Sequence, residues 1–388
     1  MTLKRDRVFW AIALQVAVVN FYLGGFGPAQ PLLRTQQHTS LTIAGLHGTA
    51  MGIASILAGV FSPRLAHRFG RATTSWLGLA IFSVGILMFV FSPPIQLTLA
   101  ATLITGFGTS TVVVAMVTQL SHHYPLQPSD AVSQASGISS VGYVLGTLAV
   151  GAIAATSFDW RLGLLLAVPF SIFLYLYTRS FIAEEHIPDE AGPQKGKLNR
   201  KFWISWIGFV ACISSEFATT FWAAALLRNR VGSGAALSTI CIVALGSGMG
   251  LGRWFGPLVL RRAQVDSQLK TVILAQFVGF ATLWLSHTLW ISLAGLLVAG
   301  MGISMQFALA AQRLIAFSEG RPDLAIGRSS LGSGVAIAAA PFILGVLGDH
   351  LGISRAYLMV PVLIVIAFTT IVAIPSAHPT QDELSSVN

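Results

Sequence analysis

Apolar stretches of about 20 residues recur a dozen times along these 388 residues, near 8–33, 41–62, 72–92, 95–120, 131–157, 161–183, 202–227, 235–260, 269–287, 289–316, 325–348 and 354–375. Each is long enough to cross a hydrocarbon layer of about 30 Å. No water is available there to satisfy the open edges of strands, so every span is expected to be a helix. With 54% apolar and 10% charged residues, a soluble two-domain enzyme is excluded. The expectation is an all-α membrane protein with twelve transmembrane helices. The first stretch is read as a span and not as a cleavable signal, being too long and followed by no small-residue cleavage site.

The spans fall on one another when the chain is shifted by 194 residues, half its length. Arg34 then meets Arg228, Arg68 meets Arg262 and Arg161 meets Arg355; Gly106-x-Gly108-x-Ser110 meets Gly300-x-Gly302-x-Ser304. Chance would give on the order of 0.4 arginine matches at one offset, and three occur. The chain is therefore expected to form two pseudo-symmetric six-helix bundles, 1–183 and 202–388, joined by a polar linker at 184–201. Two like halves in one membrane are the signature of a secondary transporter, with its site between the repeats.

The net charge of +9 is a topology signal. With twelve spans, 16 of the 23 basic residues lie on the side of both termini, and only Arg34, Arg161, Arg228, Arg230 and Arg355 lie on the other. Such an excess marks the cytoplasmic face, which makes both termini and the linker cytoplasmic and argues against nucleic-acid binding. A multi-pass protein of a cell (inner) membrane, acting as a monomer, is expected. Cys212 and Cys241 sit inside apolar spans as small hydrophobes, and no metal-ligand spacing or cofactor motif occurs.

Pro63-Arg64-Leu65-Ala66-His67-Arg68-Phe69-Gly70-Arg71 resembles the loop signature of the major facilitator superfamily, G-x-L-a-D-r-x-G-r, and Asp159-Trp160-Arg161 is similar to its tryptophan-arginine pair. The resemblance covers the whole chain. It implies two bundles rocking about a cavity lined mainly by spans 1, 4, 7 and 10, with Arg64, His67, Arg68, Gly70 and Arg71 as the conformational loop. Three departures stand out. His67 replaces the signature acid, Thr102 replaces the span-4 arginine, and Gly146 is followed by Thr147 where drug antiporters carry proline.

Of the 14 acidic residues, Glu216 alone lies deep in a span, about 22 Å along its helix from Lys201. A charge there costs a few kcal/mol or more, so its carboxyl should be neutral or paired, which suits a proton-coupling role. The repeat sets Tyr22 opposite it, with Asn20 and Gln15 on the same first span. Gly24-Gly25-Phe26-Gly27-Pro28-Ala29-Gln30-Pro31 on that span predicts a broken helix, since each proline removes a donor. Arg313 and Arg253 lie about 9 and 12 Å above the cytoplasmic edge, too low for a direct ion pair with Glu216 and without an obvious acidic partner. Both are candidate contacts for an anionic solute. Thr105, Thr109, Gln306, Gln312 and Trp222 complete the substrate-binding candidates, while His47, His122 and His123 read as solvated histidines at span ends.

These residues predict a carrier, not an enzyme, moving a small organic solute by alternating access with protons as the driving partner. Drug or metabolite efflux by antiport is the alternative within that class, and a non-transporting membrane sensor the alternative outside it.

Overall fold

The computed structural model describes residues 3–125, 128–181, 196–231, 235–260 and 262–376. Among them there are helices and no strands. In chain order the helices are α1 (Arg7–Gln37), α2 (Leu41–Phe69), α3 (Arg71–Phe91), α4 (Ile95–His123), α5 (Pro128–Ala154), α6 (Arg161–Leu165), α7 (Ala167–Thr178), α8 (Arg200–Val231), α9 (Ala235–Leu260), α10 (Val265–Leu285), α11 (Leu289–Ile303), α12 (Gln306–Ala316), α13 (Pro322–Leu351), α14 (Ile353–Ala356) and α15 (Met359–Ala373). The pairs α6–α7, α11–α12 and α14–α15 each complete one span. Eleven of the resulting spans are long and apolar enough to cross a membrane, and α9, 26 residues long, packs among them as the twelfth. Of the 184–201 linker, residues 184–195 lie outside the described ones. At its end Asn199 accepts from the Phe202 amide at 2.7 Å, starting α8.

Internal symmetry is visible in the packing. A methyl at Gly108 would strike Phe82 and Gly78, and one at Gly302 would strike Gln276 and Val272, the same positions 194 residues on. Gly85 against Thr105 repeats as Gly279 against Ala299, and Gly106 against Met51 as Gly300 against Leu245. Lipid gives helices no hydrophobic reason to associate, so small residues that bring backbones together do that work.

The first span is not broken. α1 runs unbroken from Arg7 to Gln37 with Pro28 and Pro31 inside it. Pro28 leaves the Gly24 carbonyl without its helical donor, and the Thr147 hydroxyl of α5 supplies one at 2.9 Å. A neighbouring Ser or Thr re-satisfying a freed carbonyl is how lipid-embedded helices tolerate proline. That bond demands close approach: a Cβ on Gly24 would land on the Tyr143 carbonyl, and one on Gly146 on the Phe21 carbonyl.

Two seams join the bundles. Along α2 and α13, Leu41 meets Gly345, Gly45 meets Pro341, Gly52 meets Ala338 and Gly59 meets Ser330. Asp349 fastens one end, accepting from the Leu41 and Thr42 amides at 2.9 and 2.8 Å. Along α5 and α9, Thr239 meets Gly151, Gly246 meets Tyr143 and Trp254 meets Gly137.

The loop that resembles the family signature forms the α2–α3 corner. Gly70 takes φ +85°, a backbone region that strains residues bearing a Cβ, and links the last turn of α2, with His67 and Arg68, to Arg71 at the start of α3. Gln119 of α4 donates to the Arg71 carbonyl at 3.2 Å, and Arg64 lies over Phe61.

Gly146→Val should force α1 away from α5 and break the Thr147–Gly24 bond. A loss of at least about 1–3 kcal/mol is expected, read as a thermal midpoint lowered by several degrees in detergent. A melting curve matching the wild type would refute the backbone-on-backbone account.

Candidate functional site

Between the bundles lies a cavity of about 150 Å³. From the first half come Asn20, Leu23, Phe26, Gly27 and Gln30 of α1, Met51 of α2, and Ser140 and Tyr143 of α5. The second half contributes Glu216, Phe217, Thr220 and Phe221 of α8, and Gly246, Met249 and Arg253 of α9. Glu216 is its only acid and Arg253 its only base. No ion pair joins them among the described residues, yet they are near enough for their charges to interact. Arg253 donates instead to the Ser140 hydroxyl across the seam at 2.9 Å. The Tyr143 hydroxyl is buried, has no hydrogen-bond partner, and lies in the field of both Glu216 and Arg253.

Tyr143 was not among the sequence candidates. The half-length shift pairs α1 with α8, and so points at Tyr22 across from Glu216. Tyr22 is instead packed inside the first bundle, against Phe26 and Phe82, with its hydroxyl beside Thr102 and Thr105. Only the α1–α5 packing, which the glycines of α5 allow, swings Tyr143 into the cavity.

The other candidates divide clearly. Asn20, Glu216 and Arg253 come together in the cavity. Gln15 is buried against Ser75, which donates to it. Thr105 turns back on the Ala101 carbonyl at 2.8 Å, and Thr109 is buried with its hydroxyl unpartnered. Gln306 donates to Gln276 at 2.8 Å, and Gln276 in turn to Ser215 at 3.1 Å, a polar chain inside the second bundle. Gln312 faces outward and is exposed. Spans 4 and 10 thus contribute nothing to this cavity, contrary to the lining that the resemblance implies; spans 1, 2, 5, 7 and 8 form it, because both seams are packed along their length.

Two expectations are corrected by particular partners. Arg313 does not lack an acid: its Nε donates to Asp266 Oδ1 at 2.7 Å, and its Nη2 to the Ile374 carbonyl. Asp266 lies in the first turn of α10, and the packing of α12 against α10 brings that end level with Arg313. At 1% exposure the arginine belongs to the interior of the second bundle. His47 is not solvated either. It is buried, with ring nitrogens 3.2 Å from the Ala44 carbonyl and from the Thr98 hydroxyl. His122 and His123 are exposed as expected, His123 resting 2.6 Å from Asp6.

A second cavity of about 380 Å³ lies farther along α1 and α8, towards their C-terminal ends. Gln30 and Phe221 line both cavities and form the partition between them. Arg34 and Thr35 of α1, Leu41 of α2, and Trp222, Arg228 and Asn229 of α8 surround it. Trp222 spends its indole N–H on the Pro341 carbonyl at 2.9 Å.

Two like bundles of membrane helices with polar groups gathered at their interface define a secondary carrier. A model of the Major Facilitator Superfamily matches residues 12–314, and the chain belongs to that family. It is 24% identical over 152 residues to Multidrug resistance protein 2 of Bacillus subtilis (strain 168), a match spanning 39% of this chain and 38% of that protein's length. Its fold is similar to that of the nucleoside transporter NupG (D323A mutant), with TM-score 0.75 at 14% identity, covering 93% of this chain and 99% of the other. It is similar also to the human organic anion transporter MFSD10, with TM-score 0.70 at 15% identity over 95% of this chain and 100% of that one.

Removing the acid beside Arg313 leaves a buried guanidinium uncompensated. Asp266→Asn should cost about 3–5 kcal/mol of stability, read as a sharply lower thermal midpoint. Replacing both partners by leucine should restore much of the loss, and equal damage from the single and double changes would contradict the pairing.

Proposed function

We propose that this carrier moves a small organic solute across a cell inner membrane by alternating access, and that Glu216 couples the movement to protons. One observation carries the reading. Glu216 is the single acid lining the cavity between the bundles, and it faces a base and an unpartnered hydroxyl rather than a fixed ion-pair partner. A carboxyl so placed holds a proton when the cavity is dry and yields it when water enters. Arg253 and Tyr143 then exchange interactions with the carboxylate, the solute and Ser140 as the seams part. The bundles 1–183 and 202–388 move as units about the cavity, with the linker at 184–201 and both termini on the cytoplasmic side.

A second reading, efflux of a drug-like solute by antiport, is favoured by the rings and thioethers of Phe26, Phe217, Phe221, Met51 and Met249 around the same acid. The likeness to Multidrug resistance protein 2 points the same way. Both readings use Glu216. They differ in whether an inward proton gradient loads or empties proteoliposomes.

Glu216→Gln should abolish proton-driven accumulation while solute counterflow, which needs no net proton movement, continues. Proton dependence that survives the substitution would eliminate Glu216 as the coupling group. Orientation has its own check. A cysteine placed in the linker should resist an impermeant external reagent in whole cells, and its labelling would reverse the assigned topology.

A further inference from the structure

The wider cavity, which the transport reading leaves without a task, carries an unusual pair. Arg34 and Arg228 occupy the same place in the two halves, 194 residues apart, each in the last turn of the helix that leads away from the central site. Both line the cavity of about 380 Å³, and no acid lines it. Neither guanidinium has an ion pair or side-chain hydrogen bond among the described residues, although both are half-buried. Arg161, Arg230 and Arg313 all have such partners. An arginine in a last turn favours the negative end of the helix dipole, but that accounts for one residue at a time and not for two converging on one space.

A third group faces the same space. Gln30 is 3% exposed; its Nε2 is committed to the Ala44 carbonyl at 3.3 Å, which fixes the amide, and its Oε1 has no partner. Two planar forks with five donors each and one buried acceptor are the complement of an anion that also bears a donor. The volume falls in the range of small-molecule sites, about 300–1,000 Å³.

We infer that this cavity is a binding site for a carboxylate or phosphate group held between Arg34 and Arg228, and that the transported solute carries such a group beside a hydroxyl or ammonium donor that reaches Gln30. The inference rests on the carrier reading for the purpose of the site, though not for its existence. The solute waits here, one partition of Gln30 and Phe221 away from Glu216. The fixed positive charge of the two arginines raises the local concentration of anions in the cavity.

The test uses the full-length protein in neutral detergent, titrated calorimetrically with inorganic phosphate and with phosphoserine, which adds an ammonium donor. Phosphoserine should bind more tightly than phosphate. Arg34→Gln and Arg228→Gln should each weaken both ligands about tenfold, and the double substitution should remove binding. Arg355→Gln, an exposed arginine outside the cavity, should change nothing, and unchanged thermal midpoints would show that the variants fold. Gln30→Leu should erase the advantage of phosphoserine over phosphate. Failure of the wild type to bind either anion, or equal binding by the double variant, would overturn the inference. A lipid headgroup is the other source of the same chemistry. Phosphatidylglycerol in nanodiscs that competes with phosphate in the wild type, and not in the double variant, would assign the site to lipid and overturn the solute claim. Outcomes for the two readings separate cleanly. Anion binding by a protein that shows no counterflow defeats the carrier reading alone; loss of proton coupling in Glu216→Gln without anion binding defeats this inference alone.

Discussion

Everything about the central site depends on α1 and α5 lying backbone against backbone. Gly24 and Gly146 permit the approach, and the Thr147 hydroxyl satisfies the carbonyl that Pro28 leaves open. In lipid, an unsatisfied carbonyl costs several kcal/mol, so this bond removes the penalty at the first of the two prolines inside the helix. Because α1 is unbroken, it carries Asn20, Phe26 and Gln30 along one continuous face of the cavity. Because α5 is drawn in with it, Tyr143 and Ser140 stand opposite Glu216 and Arg253.

The charged groups obey one rule with two outcomes. Arg313 is sealed with Asp266 and a helix-end carbonyl inside a bundle, where an uncompensated charge would be costly. Glu216 and Arg253 have no such fixed closure. Arg253 holds only a serine hydroxyl on the opposite bundle, a weaker tie that water or a solute can replace. Paired charges hold a bundle together, and incompletely paired ones at a seam leave room for chemistry. That contrast is what separates the scaffold from the site.

The arrangement of cavities adds a direction to the molecule. The smaller one is apolar and aromatic around a lone acid and base, and the larger one is basic and polar at the ends of α1 and α8. Phe221 takes part in both, and its ring lies 5.8 Å from Phe26 of the other bundle. An aromatic contact across a seam, without hydrogen bonds, can re-form after small displacements at little cost. The Phe26–Phe221 contact is therefore a place where bundles can slide without breaking a hydrogen bond.

Much of the fold was legible from periodic apolar length and from repetition alone. Spans must be helical in lipid, and the shift of 194 residues that aligns Arg34 with Arg228 also aligns Gly108 with Gly302, whose packing against α3 and α10 repeats contact for contact. The sequence likewise singled out Glu216, because a deep acid is rare enough to be informative by itself. What it could not supply was which faces meet. Thr147 looked like a missing proline until it was seen beside Gly24; Arg313 looked unpaired because Asp266 is 47 residues away and begins a different helix. Tyr22 and Tyr143 are equally apolar neighbours of polar residues in the chain, and only the tertiary packing decides that the second faces the acid. Sequence determines which segments enter the membrane and which rare charges enter with them. Tertiary structure determines their partners, since helix rotation and depth are set by small residues pressed against distant backbones, and that information is spread over pairs rather than held in any one stretch.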